Sequence, residues 1–131
     1  YGHSIAMWQE YFTNSRVYGI DIKDDNVSYE LENFILGDAT DQEIVAKNFP
    51  RNKFDYVIDD GSHAIKDQIS SFDLISPKMK KGGRYFIEDV NGDVAIKAIS
   101  KHLKSHEYHF EIFDFREVKG RYDDIIIMVR F

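Results

Sequence analysis

Six acidic side chains stand where short apolar runs end. Asp21 follows Val17-Tyr18-Gly19-Ile20, Asp38 follows Phe34-Ile35-Leu36-Gly37, Asp59-Asp60 close the run from Phe54, and Glu88-Asp89 close the run from Arg84. Carboxylates brought to one rim repel each other unless a cation, or a ligand's hydroxyl and amino groups, occupies the space between them. The run Asp60-Gly61-Ser62-His63 combines a carboxylate, a flexible turn, a possible helix cap and an imidazole within four residues. Each position also has an ordinary reading. Asp21 suits ribose hydroxyls or a loop; Asp38 suits an adenine amino group or the turn after Gly37. Asp60 or Ser62 would cap a helix beginning near Ala64. Glu88 and Asp89 would be an acid pair at a helix start, and they reach one ion only if the backbone turns there, because successive strand residues face opposite sides.

The elements that must position these residues alternate between strand and helix patterns. Ser4 is expected to cap a helix with Ile5, Trp8 and Phe12 on one face, broken at Asn14-Ser15. Val17–Ile22 reads as a buried strand, Lys23–Glu32 as a polar stretch, and Phe34–Leu36 as a second strand. Thr40 and Glu43 suggest a capping box for a helix carrying Ile44, Val45 and Phe49 and stopped by Pro50. Phe54–Asp59 is a third strand. Ile65, Ile69, Phe72 and Ile75 space a helix, ended by Pro77 and the Gly82-Gly83 turn. Lys78, Lys80, Lys81 and Arg84 then fall in or beyond its last turn, where a helix dipole favours cations. Arg84–Asp89 is a fourth strand, and Val94, Ile96, Ile99 and Leu103 mark a further helix. His102, His106 and His109 read as solvated. Tyr108–Phe115 and Ile125–Phe131 form an antiparallel pair at one sheet edge with no helix between them. Such alternation means right-handed βαβ units in a mostly parallel sheet, whose ligands bind outside the carboxyl ends of the strands.

Composition bounds the function. The 131 residues suit one domain, 1–131, and the absence of cysteine excludes a disulfide scaffold, a thiol nucleophile and a thiolate metal site. A hydrophobic fraction of 43% with 15% aromatics excludes a disordered chain, and a net charge of −6 argues against nucleic acid as a partner. No run has the length of a membrane span and no signal peptide is visible, so the expected location is cytoplasmic.

Three segments carry a resemblance. Val17-Tyr18-Gly19-Ile20-Asp21-Ile22, Tyr56-Val57-Ile58-Asp59-Asp60-Gly61-Ser62-His63 and Lys81-Gly82-Gly83-Arg84-Tyr85-Phe86-Ile87-Glu88-Asp89 resemble class I S-adenosylmethionine-dependent methyltransferases. Within these the sequence is most similar to the metal-dependent macrocin/mycinamicin-type sugar O-methyltransferases and their cephalosporin-hydroxylase-like relatives. The resemblance implies a Rossmann-like α/β sheet of seven strands with helices on both faces and an antiparallel C-terminal hairpin. It also implies S-adenosylmethionine and Mg²⁺ as cofactors. By the same resemblance, Gly2, Ser4, Asp21, Ile22, Asp38, Ala39 and Asp59 line the cofactor site, with Asp21 on the ribose and Asp38 at the adenine. Asp60, Glu88 and Asp89 match the family's metal ligands, and His63 its general base, making His63 and Asp60 the catalytic pair. The acceptor would be a small molecule, glycosylated or hydroxylated. Lys23–Glu32 and Asn91-Gly92 are the only segments with room to choose it. Relatives often assemble, so a homo-oligomer is an open expectation.

The sequence departs from that pattern at its start: the family's central first strand and glycine-rich turn would precede Gly2. The expectation is therefore an N-terminally incomplete domain, in which Val17–Ile22 and Phe54–Asp59 lack the neighbour between them. Two other functional classes stay open. A nicotinamide-dependent oxidoreductase would also use Asp21 on a ribose but leaves Asp60, Glu88 and Asp89 without a purpose. A cofactor-binding or assembly module without turnover would use the same fold.

Overall fold

A computed structural model of the chain describes residues 3–23, 33–49, 51 and 53–131. In chain order the elements are α1 (His3–Tyr11), β1 (Gly19–Asp21), β2 (Phe34–Leu36), α2 (Gln42–Asn48), β3 (Phe54–Asp59), α3 (Ile65–Ile75), β4 (Met79–Ile87), α4 (Gly92–Ser105), β5 (His109–Asp114), α5 (Arg116–Lys119) and β6 (Ile125–Arg130), with a 3₁₀ turn at Ser76–Lys78. β1 and β2 pair in parallel as a two-stranded sheet. The other strands form a second sheet in the order β3-β4-β6-β5, parallel between β3 and β4 and antiparallel elsewhere. The C-terminal hairpin expected from Tyr108–Phe131 is therefore present, with β5 at the edge. The described strands divide into two sheets, with β1 and β3 each an edge strand, as expected for Val17–Ile22 and Phe54–Asp59 without the strand between them. The two lie side by side at their starts. Tyr18 meets Phe54 edge-on at 5.9 Å, and the Lys53 ammonium sits 4.2 Å from the centre of the Tyr18 ring.

Helices lie on opposite faces because strand side chains alternate. Gly19 and Phe34 are register partners turned toward α1, and a side chain at Gly19 would come within 2.3 Å of Ile5. The next pair, Ile20 and Ile35, faces the other way and joins the core with Val45 and Phe49 at the α2 end of the molecule. In the larger sheet, Tyr85, Ile87, Ile127 and Val129 are fully buried with Phe72 of α3 and Ala95, Ile99 and Leu103 of α4. On the opposite face of β3, Tyr56 and Ile58 remain 60% and 40% exposed.

Several local expectations change. Ser4 lies inside α1, not at its cap, and Phe12 lies beyond the helix, stacked on Trp8 at 5.5 Å. The cap of α2 is Asp41, whose carboxylate accepts from the Glu43 and Ile44 amides; Thr40 bonds Asp38 instead of closing a box with Glu43. Pro50, expected to stop this helix, lies outside the described residues, as do Gly2 and most of Lys23–Glu32. α3 buries Gln68 and Ser71 beside the expected Phe72 and Ile75, while Ile65 and Ile69 pack against the core partly buried. Val94 is exposed and Ala95 takes its place in the core of α4. α5 interrupts the tail that was expected to be helix-free.

The glycine pair sits within β4, which begins at Met79, five residues earlier than Arg84. The pairing of β3 with β4 slips there, from Phe54↔Met79 to Tyr56↔Arg84, so the extra residues form a bulge. Gly82 takes φ +84, and a side chain at Gly83 would meet backbone oxygens of Lys80 and Asp55 at 2.9 and 3.0 Å. Lys80, Lys81 and Arg84 are consequently strand residues, and Lys80 pairs with Asp55 at 2.7 Å across the ladder instead of serving a helix end. His102 is likewise not simply solvated, since its Nε2 lies 2.7 Å from Asp73 and ties α4 to α3. Among the described residues no helix is long and apolar enough to cross a membrane.

Candidate active site at the acidic strand ends

Parallel pairing carries the ends of β3 and β4 to the same rim. The last pair is Asp59↔Ile87, and the ladder runs one bond further, from the Glu88 amide to the Asp59 carbonyl at 3.0 Å. Asp60 leaves β3 into the turn toward α3, and Asp89 leaves β4 with φ +48, a left-handed value that turns the backbone. A turn there was the condition for Glu88 and Asp89 to reach one ion; the turn is present, and of the two it is Asp89 that joins the convergent group. Asp60, His63 and Asp89 converge: one ligand atom from each lies within 4.8 Å of the others. The His63 Nε2 stands 3.9 Å from Asp60 and 3.8 Å from Asp89, with all three side chains partly open to solvent.

Charge crowds this corner. Partial burial, then the nearby Asp89 carboxylate, raises the Asp60 pKa, with His63 acting in the opposite direction. Burial, then Asp60 and Asp89, likewise raises that of Glu88, partly offset by Lys119. A positive charge placed among these groups would relieve their repulsion, and two carboxylates are donors suited to a hard divalent cation. The donor set fits such an ion. The convergent group has His63 where the resemblance puts Glu88; Glu88 is an electrostatic neighbour of Asp60 and Asp89 and lies outside that trio.

The remaining candidates are dispersed. Asp21 is the last residue of β1, and Asp38 lies two residues beyond β2. Asp21 accepts from the Lys23 amide at 3.0 Å, and its own carbonyl accepts from the Gly37 amide at 2.8 Å. Asp38 accepts from the Thr40 hydroxyl and amide at 2.7 and 2.8 Å, which lowers its pKa and keeps it ionised. Ile22 is exposed, Ala39 packs against the core, and Ser4 is exposed on α1. Gly2 lies outside the described residues. Asp59 is turned inward: its Oδ2 accepts from Ser71 at 2.5 Å and from the buried Tyr85 hydroxyl at 2.8 Å. Its carboxylate is thus a structural acceptor on the α3 side of the sheet.

Sequence reasoning missed Gln68, Ser71 and Tyr85. Gln68 donates from Nε2 to the Glu88 carbonyl at 3.0 Å, and Gln68 and Ser71 are 1% and 4% exposed. Their signal was the spacing 68, 71, 72, 75, an i, i+3, i+4, i+7 stripe that is half polar. Ser62 donates to Asp67 at 2.7 Å and accepts from the Ala64 amide; neither it nor Asp60 occupies the cap of α3, which is Ala64.

A family profile described as a methyltransferase domain matches residues 2–123. Mycinamicin VI 2''-O-methyltransferase of Micromonospora griseorubida is 40% identical over 91 residues, covering 68% of this chain and 23% of that enzyme. Demethylmacrocin O-methyltransferase of Streptomyces fradiae is 37% identical over 94 residues, with the same coverage of 68% and 23%. The chain thus spans about a quarter of the length of these curated relatives. Among solved structures, the MycE methyltransferase of the mycinamycin biosynthetic pathway, in complex with Mg, SAH and mycinamycin VI, superposes with a TM-score of 0.66 at 26% identity, over 97% of this chain and 39% of that one. A SAM-dependent methyltransferase from Archaeoglobus fulgidus shares the fold at 15% identity, with a TM-score of 0.65 over 96% and 81% of the two chains. With the profile spanning nearly all of the sequence and the fold alike, the chain belongs to the methyltransferase-domain family.

Proposed function

We propose that this chain carries the cofactor and catalytic side of a Mg²⁺-dependent O-methyltransferase acting on a hydroxyl of a glycosylated small molecule. The observation that carries the reading is the convergence of Asp60, His63 and Asp89 at the ends of two adjacent parallel strands in a methyltransferase-family chain. The acceptor class rests on the relatives, which are named as O-methyltransferases of mycinamicin and demethylmacrocin.

Asp60 and Asp89, with Glu88 beside them, would hold the cation, while Asp21 and Asp38 would accept from the ribose and adenine of S-adenosylmethionine. When bound, the two groups supply an electrophilic methyl carbon and charge stabilisation for an acceptor oxygen that is losing its proton. The chain's own work is to orient the acceptor and take that proton. His63 would receive it at Nε2, the ring nitrogen that stands 3.9 Å from Asp60 and 3.8 Å from Asp89. Asp38 accepts from Thr40 through Oδ1, which leaves Oδ2 to accept from an amino group. Proton transfer of this kind contributes roughly 10²–10⁴-fold. His63→Ala should therefore lower turnover by about that factor while calorimetric binding of S-adenosylhomocysteine persists. Unchanged turnover would remove His63 from the mechanism.

The cytoplasm as location, the one-domain extent and a homo-oligomeric state belong to the same proposal.

A further inference from the structure

Both acid-bearing strand ends are fastened to one helix. On the β3 side, the carboxylate of Asp59 is drawn into the sheet by the hydroxyls of Ser71 and Tyr85. Asp60 follows it directly, where the chain leaves β3, so the bonds that hold Asp59 fix the point from which Asp60 departs. On the β4 side, the Gln68 amide donates to the carbonyl of Glu88, the peptide that leads into Asp89 and its positive φ. A left-handed value at a non-glycine residue persists only when the surroundings hold it. Gln68 and Ser71 are one helical turn apart on the buried face of α3, and Tyr85 is fully buried in β4. An amide and hydroxyls are costly to bury on a face that leucine would fill unless their bonds serve a purpose. The Gln68 Oε1 is buried with no hydrogen-bond partner among the described residues, so the amide is retained although only its donor half is satisfied.

We infer that Gln68, Ser71 and Tyr85 are positioning residues that set the separation of Asp60 and Asp89, and so the affinity of that pair for a divalent cation. The inference rests on the metal reading proposed above. Residues that orient metal ligands typically change metal affinity by about 10–100-fold when removed.

The test is calorimetric titration of the full chain with Mg²⁺ and, separately, with S-adenosylhomocysteine. Gln68→Met keeps the side chain's length and packing and removes the donor; Tyr85→Phe keeps the ring and removes the hydroxyl. Each should weaken Mg²⁺ binding by about tenfold or more while leaving S-adenosylhomocysteine affinity and the far-ultraviolet spectrum unchanged. If Gln68→Met fails to fold, Tyr85→Phe and Ser71→Ala carry the same comparison. Folded variants that bind Mg²⁺ as the parent does overturn the positioning role, as does an equal loss of affinity for both ligands, which marks a structural effect. A parent chain that takes up no Mg²⁺ overturns the metal reading itself, an outcome distinct from both.

Discussion

At the scale of single residues, the corner formed by Asp60, His63 and Asp89 concentrates negative charge in a partly buried place. Raised pKa values at Asp60 and Glu88 mean that the folded state holds these protons more tightly than the unfolded chain. Such a group contributes stability below its unfolded pKa, about 4 for these carboxyls, and that contribution is lost as pH rises through the higher folded value. Without a cation the corner is therefore a destabilising feature at neutral pH, and Mg²⁺ should offset it. Added Mg²⁺ is expected to raise the melting temperature clearly at pH 7 and little at pH 4. In Asp60→Asn the increment at pH 7 should largely disappear. An equal increment at both pH values, read by scanning calorimetry, would count against a cation at these carboxylates. Asp60, His63 and Asp89 were legible in the sequence because each sits at or just after a strand end. The inward turn of Asp59 was not, since it depends on hydroxyls 12 and 26 residues away. Nor was the convergence of His63 in place of Glu88, which depends on where β4 stops and Asp89 bends.

At the scale of elements, every strand core was legible from apolar runs, while caps and edges were not. Thr40, Asp41 and Glu43 all have capping chemistry, and only the geometry selects Asp41, whose carboxylate lies 2.8 Å from the Glu43 amide. Asp41→Ala should cost about 0.5–2 kcal/mol in urea denaturation, whereas Thr40→Ala, which disturbs only the Asp38 turn, should cost less. Equal costs would return the cap to Thr40. The start of β4 was hidden because Gly82-Gly83 reads as a turn in any local pattern. In three dimensions the pair lies in a bulge between the ladder partners Phe54↔Met79 and Tyr56↔Arg84, so the strand runs on from Met79. The apolar line of α3 was legible, since Ile65, Ile69, Phe72 and Ile75 all pack in or against the core, but the inward turn of Gln68 and Ser71 was not, because it rests on bonds to Glu88 and Asp59.

At the scale of the whole molecule, the core joins the larger sheet to α3 and α4 and reaches the smaller sheet through Tyr18, Phe49 and Phe54. Phe72 lies at its centre, in edge contact with Tyr85 and Tyr108 at ring separations of 5.1 Å. Phe72→Ala should destabilise the chain by about 3–5 kcal/mol, measured by chemical denaturation, and a cost below that of the surface change Val118→Ala would refute this placement. The division into two sheets follows from β1 and β3 both being edge strands, with only side chains joining them at their starts. The α/β class, the parallel strands and the hairpin followed from alternation of patterns, and the gap between β1 and β3 followed from the resemblance, whose central strand would stand between Val17–Ile22 and Phe54–Asp59. The central claim is that this rim performs metal-dependent methyl transfer. It is tested most directly by following methyl transfer from labelled S-adenosylmethionine to a glycosylated macrolide, using the full chain with Mg²⁺, with excess chelator, and with Mg²⁺ restored. Activity that disappears with the chelator and returns with Mg²⁺ is the predicted result; transfer undiminished by the chelator would contradict it.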